Sequence, residues 1–500
     1  MRATLIGAAG ALLVGGPTAL AFFSGGFFDR PRIIAGLVAW ALVILAALLT
    51  PRPLPSRLPG RLALGALALL VGWTALSFTW APLAGRVEDD LQRLLLYLSF
   101  FAAATALLRG RWARRWLEPS LVLGVLVVVS YGLSERLLPG LVELDRSFAA
   151  AGRLEQPLTY WNAFGILAAL GFVLAAHIAG DPDRPGPLRG SAAAAGVVLG
   201  LGAYLTFGRG ALAAVAAGLV VLFALAPDGR SELLSVVVIT GAVGLAALLA
   251  SRYPTVKTLV EGERGDAAAG ARTLIGTLAL ALAAAALVMR EKRWSRKLPA
   301  LRISRPAAVL TAAGLVLLAG ALATAVFEGK PEAVSPTQRA DPSRLGSVDT
   351  NRYRYWDVAL ESWADQPLRG IGSGGFQVEW LKQRDRVDTS GDAHSLYLET
   401  AAELGLVGLA LLGLFLAGVG AALVRLYRAD PRAAVGPAAG LVAWAVHAGL
   451  DWDWEMPAVT LPALLLAAAA IAWSEQAQTD LEQGVGLRGT RAAPAARVIC

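Results

Sequence analysis

The chain has 500 residues, 56% of them hydrophobic and 16% charged, with a mean hydropathy of +0.58 and a formal net charge of +8. That balance excludes a string of soluble domains, and because the arginines sit in short clusters between apolar runs it also excludes a nucleic-acid-binding face. The single cysteine, Cys500, excludes an internal disulfide and any cysteine-ligated metal site.

Runs of about twenty apolar residues recur along the chain, each long enough at ~1.5 Å per residue to cross ~30 Å of hydrocarbon. The expected fold is an all-α polytopic membrane protein with 12–14 transmembrane helices and one large external loop containing short helices. The predicted spans lie near 3–23, 33–50, 62–80, 94–108, 117–138, 159–179, 191–207, 210–226, 233–250, 272–289, 306–327, 397–424, 436–450 and 457–474. The first resembles a signal peptide, but its apolar part is long and a second span follows closely, so it reads as a retained helix.

With the N-terminus cytoplasmic, Arg52, Arg57 and Arg61, then Arg109, Arg111, Arg114 and Arg115, then the cluster from Arg290 to Arg305 all fall inside, while GRVEDD (Gly85 to Asp90) and DWDWE (Asp451 to Glu455) fall outside. This divides the chain into N-terminal membrane helices (1–327), an external loop (328–396), C-terminal membrane helices (397–474) and a polar cytoplasmic tail (475–500), read as disordered. No fixed-period repeat is visible, so an inverted-repeat transporter is not inferred.

Within the loop, Val348 to Trp363 reads as a helix capped by Asp349 or Thr350. Tyr353, Trp356, Leu360 and Trp363 form an apolar stripe, turned toward the bilayer surface or the membrane domain, and Arg352 lies on the same side. Pro367 and Gly370 stop it. The glycines at 370, 372, 374 and 375 lack the following Lys-Ser or Lys-Thr of a phosphate loop, and close backbone packing is the better account. His394, one of three histidines, precedes the next apolar run, where a neutral imidazole can accept a proton from a hydroxyl; a structural interface histidine is the alternative. Arg209 stands between two apolar helices with no acidic residue within ten positions. It is either a snorkelling arginine at a helix end or a phosphate ligand.

GRLEQPLTYWNAFG (Gly152 to Gly165), TFGRGAL (Thr206 to Leu212), RYRYWDVALESWADQPLRGIGSGGF (Arg352 to Phe376), HSLYLETAAELGLVGL (His394 to Leu409) and HAGLDWDWEMPAV (His447 to Val459) together resemble the O-antigen ligase and polymerase superfamily in order and spacing, over roughly residues 150 to 460. The resemblance implies a GT-C-like membrane glycosyltransferase of the bacterial cytoplasmic membrane. Its donor would be an undecaprenyl-diphosphate-linked glycan, its acceptor a glycan, lipid or protein, with no metal and no other cofactor. The family's loop histidine matches His394 and its diphosphate-binding arginines match Arg209 and Arg352. His394-Ser395 stands where many members have His-Asn, and fourteen spans exceed the twelve expected. Asp451, Asp453 and Glu455 are candidates to orient the histidine or bind acceptor hydroxyls, although topology alone also gives an acidic external turn.

A transporter or flippase is the reading from another class. It predicts charges inside several spans, and the histidines His177 and His447 lie near helix ends instead. Between ligase and polymerase, the loop cations Arg354, Arg369, Lys382, Arg384 and Arg386 bear on a second lipid diphosphate. Glu379, Asp385 and Asp388 interleave with them as a solvated mixed-charge face, which favours a ligase.

Overall fold

The computed structural model describes residues 2–227, 229–291, 352–384 and 389–482. The span expected at 306–327, the caps Asp349 and Thr350, and Arg386 with its acidic neighbours lie outside the described residues. In chain order the helices are α1 (Arg2–Ala21), α2 (Asp29–Leu49), α3 (Leu58–Leu76), α4 (Ala84–Leu107), α5 (Arg111–Leu137), α6 (Trp161–Gly180), α7 (Gly186–Tyr204), α8 (Arg209–Leu225), α9 (Gly229–Ser251), the short α10 (Pro254–Lys257), α11 (Ala267–Met289), α12 (Arg352–Asp365), α13 (Phe376–Gln383), α14 (Leu396–Ala429), α15 (Pro431–Ala448) and α16 (Pro457–Glu482). The protein is an all-α polytopic membrane protein. Among the described residues, nine helices are long and apolar enough to cross a bilayer.

The centre of the bundle is formed by α6 and α16, whose apolar windows are wholly enclosed by protein, whereas the outer faces of α2, α9 and α11 carry exposed Leu, Ile and Val as lipid-facing surfaces do. Small residues allow the close approaches expected where burial alone gives helices no drive to associate. Gly171 of α6 lies against Val125 of α5, and Gly218 of α8 against Val173.

Two ends of the bundle differ in chemistry. At one, the first two arginine clusters between spans meet: Ser56 and Arg57 backbone N–H groups donate to Glu475, each at 2.9 Å, Arg109 pairs with the same carboxylate at 2.8 Å, and Arg114 donates to the Trp473 carbonyl at 3.0 Å. These contacts extend α16 to Glu482, past residue 474 where the tail was expected to begin. A buried pair of His177 Nδ1 and Glu232 Oε1 at 3.2 Å joins α6 to α9. At the opposite end stand His394, Arg352, Asp451 and the N-terminus of α8.

Candidate active site

The loop is fastened by a break in α14. Gly405 has φ +63° and ψ −163°, which interrupts the helix and strips neighbouring backbone groups of partners. The glycine-rich segment before α13 supplies them. Ile371 and Gly372 N–H donate to the Ala402 and Glu403 carbonyls at 2.9 and 2.8 Å, and Leu406 and Val407 N–H donate to Pro367 and Leu368 at 2.8 and 3.3 Å. The Glu403 carboxylate accepts from Gly374 and Phe376 N–H at 2.9 and 3.0 Å. Irregular backbone near membrane depth must be satisfied within the protein. Gly370 (φ +72°) and Gly405 meet backbone to backbone, where a Cβ on either would collide with the other strand.

The α12 face that packs inward is Tyr355, Val358, Ala359 and Ser362. Of the predicted stripe, Tyr353 and Leu360 are exposed, while Trp356 packs against this inner cluster, with Tyr353 edge-on to it at 5.6 Å. Small side chains at 358, 359 and 362 let α12 approach α14, with Tyr355 filling the rest of the inner face.

His394 lies two residues before α14, with a left-handed backbone (φ +54°). Its Nδ1–H donates to the Asp392 carbonyl at 3.1 Å. A carbonyl can only accept, so this bond fixes the proton on Nδ1 and leaves the Nε2 lone pair for proton abstraction. Tyr355 stacks on the imidazole at 5.1 Å and is itself held edge-on by the buried Trp380 at 4.7 Å, while Trp452 flanks the ring at 6.2 Å.

Arg352 starts α12 and forms an ion pair with Asp451, whose other oxygen accepts from Tyr160 Oη at 2.8 Å; Asn162 Nδ2 donates to that hydroxyl at 2.8 Å. Asp451 is 1% exposed. Burial pushes its carboxyl up, but Arg352, His394 and His447 together outweigh burial and hold it below the usual carboxylate range. Burial likewise opposes charge on Arg352, and Asp451 with Tyr160 keeps the guanidinium above its ordinary value. Trp452 packs against Tyr160 at 4.5 Å and so joins this group to His394.

Arg209 opens α8. Its neighbours Gly208 and Gly210 face Asn162 and His447: a Cβ at 208 would lie 3.5 Å from Asn162 Oδ1, and one at 210 would lie 2.7 Å from His447 Nε2. Asp453 is bound to His447, whose Nδ1 lies 2.6 Å from Asp453 Oδ2. Burial raises the Asp453 carboxyl against the opposing pull of His447.

Beside His394 the fold also assembles groups that sequence reading did not join. Asp392, Glu399 and Glu455 offer oxygens all within 4.8 Å of one another, the grouping among the described residues that could hold a cation. Spacing could not reveal it, because the ligands come from the loop, from α14 and from the turn before α16. Arg93 of α4 lies 3.4 Å from Glu455, whose carboxyl burial pushes up to about 8 against the pull of Arg93, aided by Asp392 and Asp90. Arg93 falls outside the stretch carrying the family-like motifs and just before the span predicted at 94–108, so nothing in the sequence singled it out.

A search among curated proteins finds no match to the chain. Residues 267–413, from the start of α11 through the loop and into α14, match the family model described as O-antigen ligase. Together with the helical membrane fold and the histidine-bearing loop seated on it, this match to part of the chain supports membership of the O-antigen ligase superfamily and a membrane glycosyltransferase of the ligase or polymerase type.

Proposed function

We propose that the protein transfers a glycan from an undecaprenyl-diphosphate carrier to an acceptor hydroxyl on the external face of the bacterial cytoplasmic membrane, without a metal. One observation carries the reading. Elements hundreds of residues apart bring a histidine with an available Nε2, the Arg352–Asp451 pair and the arginine-bearing start of α8 to the same end of the bundle.

In the proposed step the acceptor oxygen attacks the sugar C1, the C1–O bond to the diphosphate breaks, and His394 Nε2 takes the hydroxyl proton. The departing diphosphate gains negative charge. Arg352, held in orientation by Asp451 and Tyr160, and Arg209 at the uncapped N-terminus of α8 supply fixed positive potential for it. Guanidinium forks suit phosphate oxygens, so charge that a divalent ion supplies in other transferases is available from side chains.

A ligase-type transferase with a distinct acceptor is favoured over a polymerase. Lys382, one of the further loop cations, is engaged by Glu379 at 2.8 Å, as a solvated mixed-charge surface would be. The deciding assay gives purified protein a carrier-linked glycan as sole substrate. No longer carrier-linked products are expected, and a ladder of them would make the protein a polymerase.

A further inference from the structure

Asp451 and Asp453 stand two residues apart in the turn between α15 and α16, and they hold different parts of the site. Asp451 pairs with Arg352, which opens α12. Asp453 has no arginine or lysine within ion-pair reach among the described residues. Its partner is His447, whose Nδ1–H donates to it at 2.6 Å, and both side chains are 1% exposed. A carboxylate can only accept, so this bond fixes a ring proton on Nδ1 and leaves Nε2 on the far edge of the imidazole.

That edge meets the start of α8. The helices α8 and α15 pack against each other through glycines of α8: a Cβ at Gly218 would lie 3.2 Å from the Ala439 carbonyl, and one at Gly210 would lie 2.7 Å from His447 Nε2 and 2.9 Å from Cδ2. Gly210 adjoins Arg209 in the first turn of α8, and the N-cap Gly208 has no side chain with which to cap that turn. The imidazole therefore rests on the backbone that aims Arg209, with an electron-rich nitrogen beside the positive end of the helix dipole. Packing alone does not account for the pair. A buried histidine–carboxylate pair is a weak source of stability, because desolvation offsets most of the attraction, and an apolar side chain fills such an interface at less cost.

We infer that His447 is a positioning residue for Arg209: the turn from Asp451 to Asp453 braces both arginine-bearing elements, α12 directly through Arg352 and α8 through the His447 ring. The turn thereby sets how the two guanidiniums are spaced on a diphosphate. The inference rests on the diphosphate roles proposed above for Arg209 and Arg352. It adds a residue of α15 that acts through α8, and it gives Asp453 a role separate from that of Asp451.

The test measures undecaprenyl diphosphate binding and thermal unfolding of the purified full-length protein in detergent. His447→Asn keeps an N–H donor for Asp453 at the position of Nδ1 and removes the ring edge that rests on Gly210, so unfolding should stay close to that of wild type. Binding should weaken about tenfold in this variant, but less than about twofold when the same substitution is made in Arg209→Ala protein, because the ring acts through Arg209. Gly210→Ala drives a methyl group into the ring while favouring the helix, should show the same dependence on Arg209, and decides the matter if His447→Asn does not fold. An equal loss with and without Arg209 overturns the inference and leaves His447 a packing residue, as does unimpaired binding by folded His447→Asn. Failure of the underlying reading is distinguishable, because Arg209→Ala alone would then bind undecaprenyl diphosphate as tightly as wild type.

Discussion

Tyr355 lies over His394 with ring centroids 5.1 Å apart and planes inclined by 27°. The stack connects the inner face of α12 to the segment that leads into α14, so the imidazole is gripped from one side by an aromatic ring and tied at Nδ1 by a carbonyl. Tyr355→Phe keeps the stacking face and is expected to retain transfer within about threefold, whereas Tyr355→Ala should lose transfer by about tenfold or more through imidazole mobility. Equal activity of the two variants would show that the stack does not position the ring.

His394→Ala should lower transfer by about 10²- to 10⁴-fold, the usual contribution of a positioned general base. Expression, membrane insertion and thermal unfolding should be unaffected. A well-expressed variant with near-normal transfer removes His394 from the chemistry.

Arg352→Ala should cost more than binding, because it leaves the Asp451 carboxylate buried without its cation, a loss of about 3–5 kcal/mol. The double variant Arg352→Ala with Asp451→Asn should recover much of that stability but not the transfer. Arg209→Ala should reduce transfer with little effect on unfolding, and Lys at either position should rescue only partly because it lacks the bidentate fork. If both alanine variants bind undecaprenyl diphosphate as tightly as wild type, the diphosphate roles are wrong. Thermal unfolding of wild type against its double variant reads the stability half of this prediction.

Glu455 gives the protein a pH dependence of definite sign. Its carboxyl is raised to about 8 in the folded state by burial, against about 4.3 for an unperturbed glutamate, so the folded chain holds the extra proton across that window. Stability from this group is complete below about pH 4.3 and declines as pH rises to about 8, by up to ~1.4 kcal/mol per unit. Asp451 behaves oppositely: its depressed carboxyl stabilises above about pH 3.9 and loses that contribution only on stronger acidification. Melting temperature in detergent should therefore fall between pH 5 and 8, and Glu455→Gln should flatten that slope. An unchanged slope in the variant assigns the dependence to other groups.

Transfer is expected to continue in EDTA. The carboxylates of Asp392, Glu399 and Glu455 define where a divalent ion would act if this is wrong. Activity lost in EDTA, restored by a divalent ion, and abolished in Glu399→Gln would establish a metal-dependent transferase.

The membrane spans were legible because about twenty apolar residues have one economical solution in lipid, and the first two arginine clusters meet at one end through Glu475 and Trp473, while the third lies outside the described residues. The orientation of α12 was not legible. Its aromatic stripe has helical spacing, yet Tyr355, Val358, Ala359 and Ser362 face inward while Tyr353 and Leu360 are exposed. Nor were the partners of the site. Tyr160 meets Asp451 across 291 positions, and Arg93 meets Glu455 from a helix outside the motif-bearing stretch; such pairings depend on how the bundle closes, not on local pattern. The glycines at 370, 372 and 374 were legible as sites of close backbone packing rather than a phosphate loop, and their left-handed backbone serves the broken helix.

That broken helix acts as a rivet. The chain at Gly405 and the segment from Pro367 to Gly372 each complete the other's hydrogen bonding, so lifting the loop from the membrane domain would orphan donors and acceptors on both sides at once. The base of the loop and the first turns of α14 must therefore travel as one body, carrying His394 at a fixed height over the bilayer whether or not substrate is present.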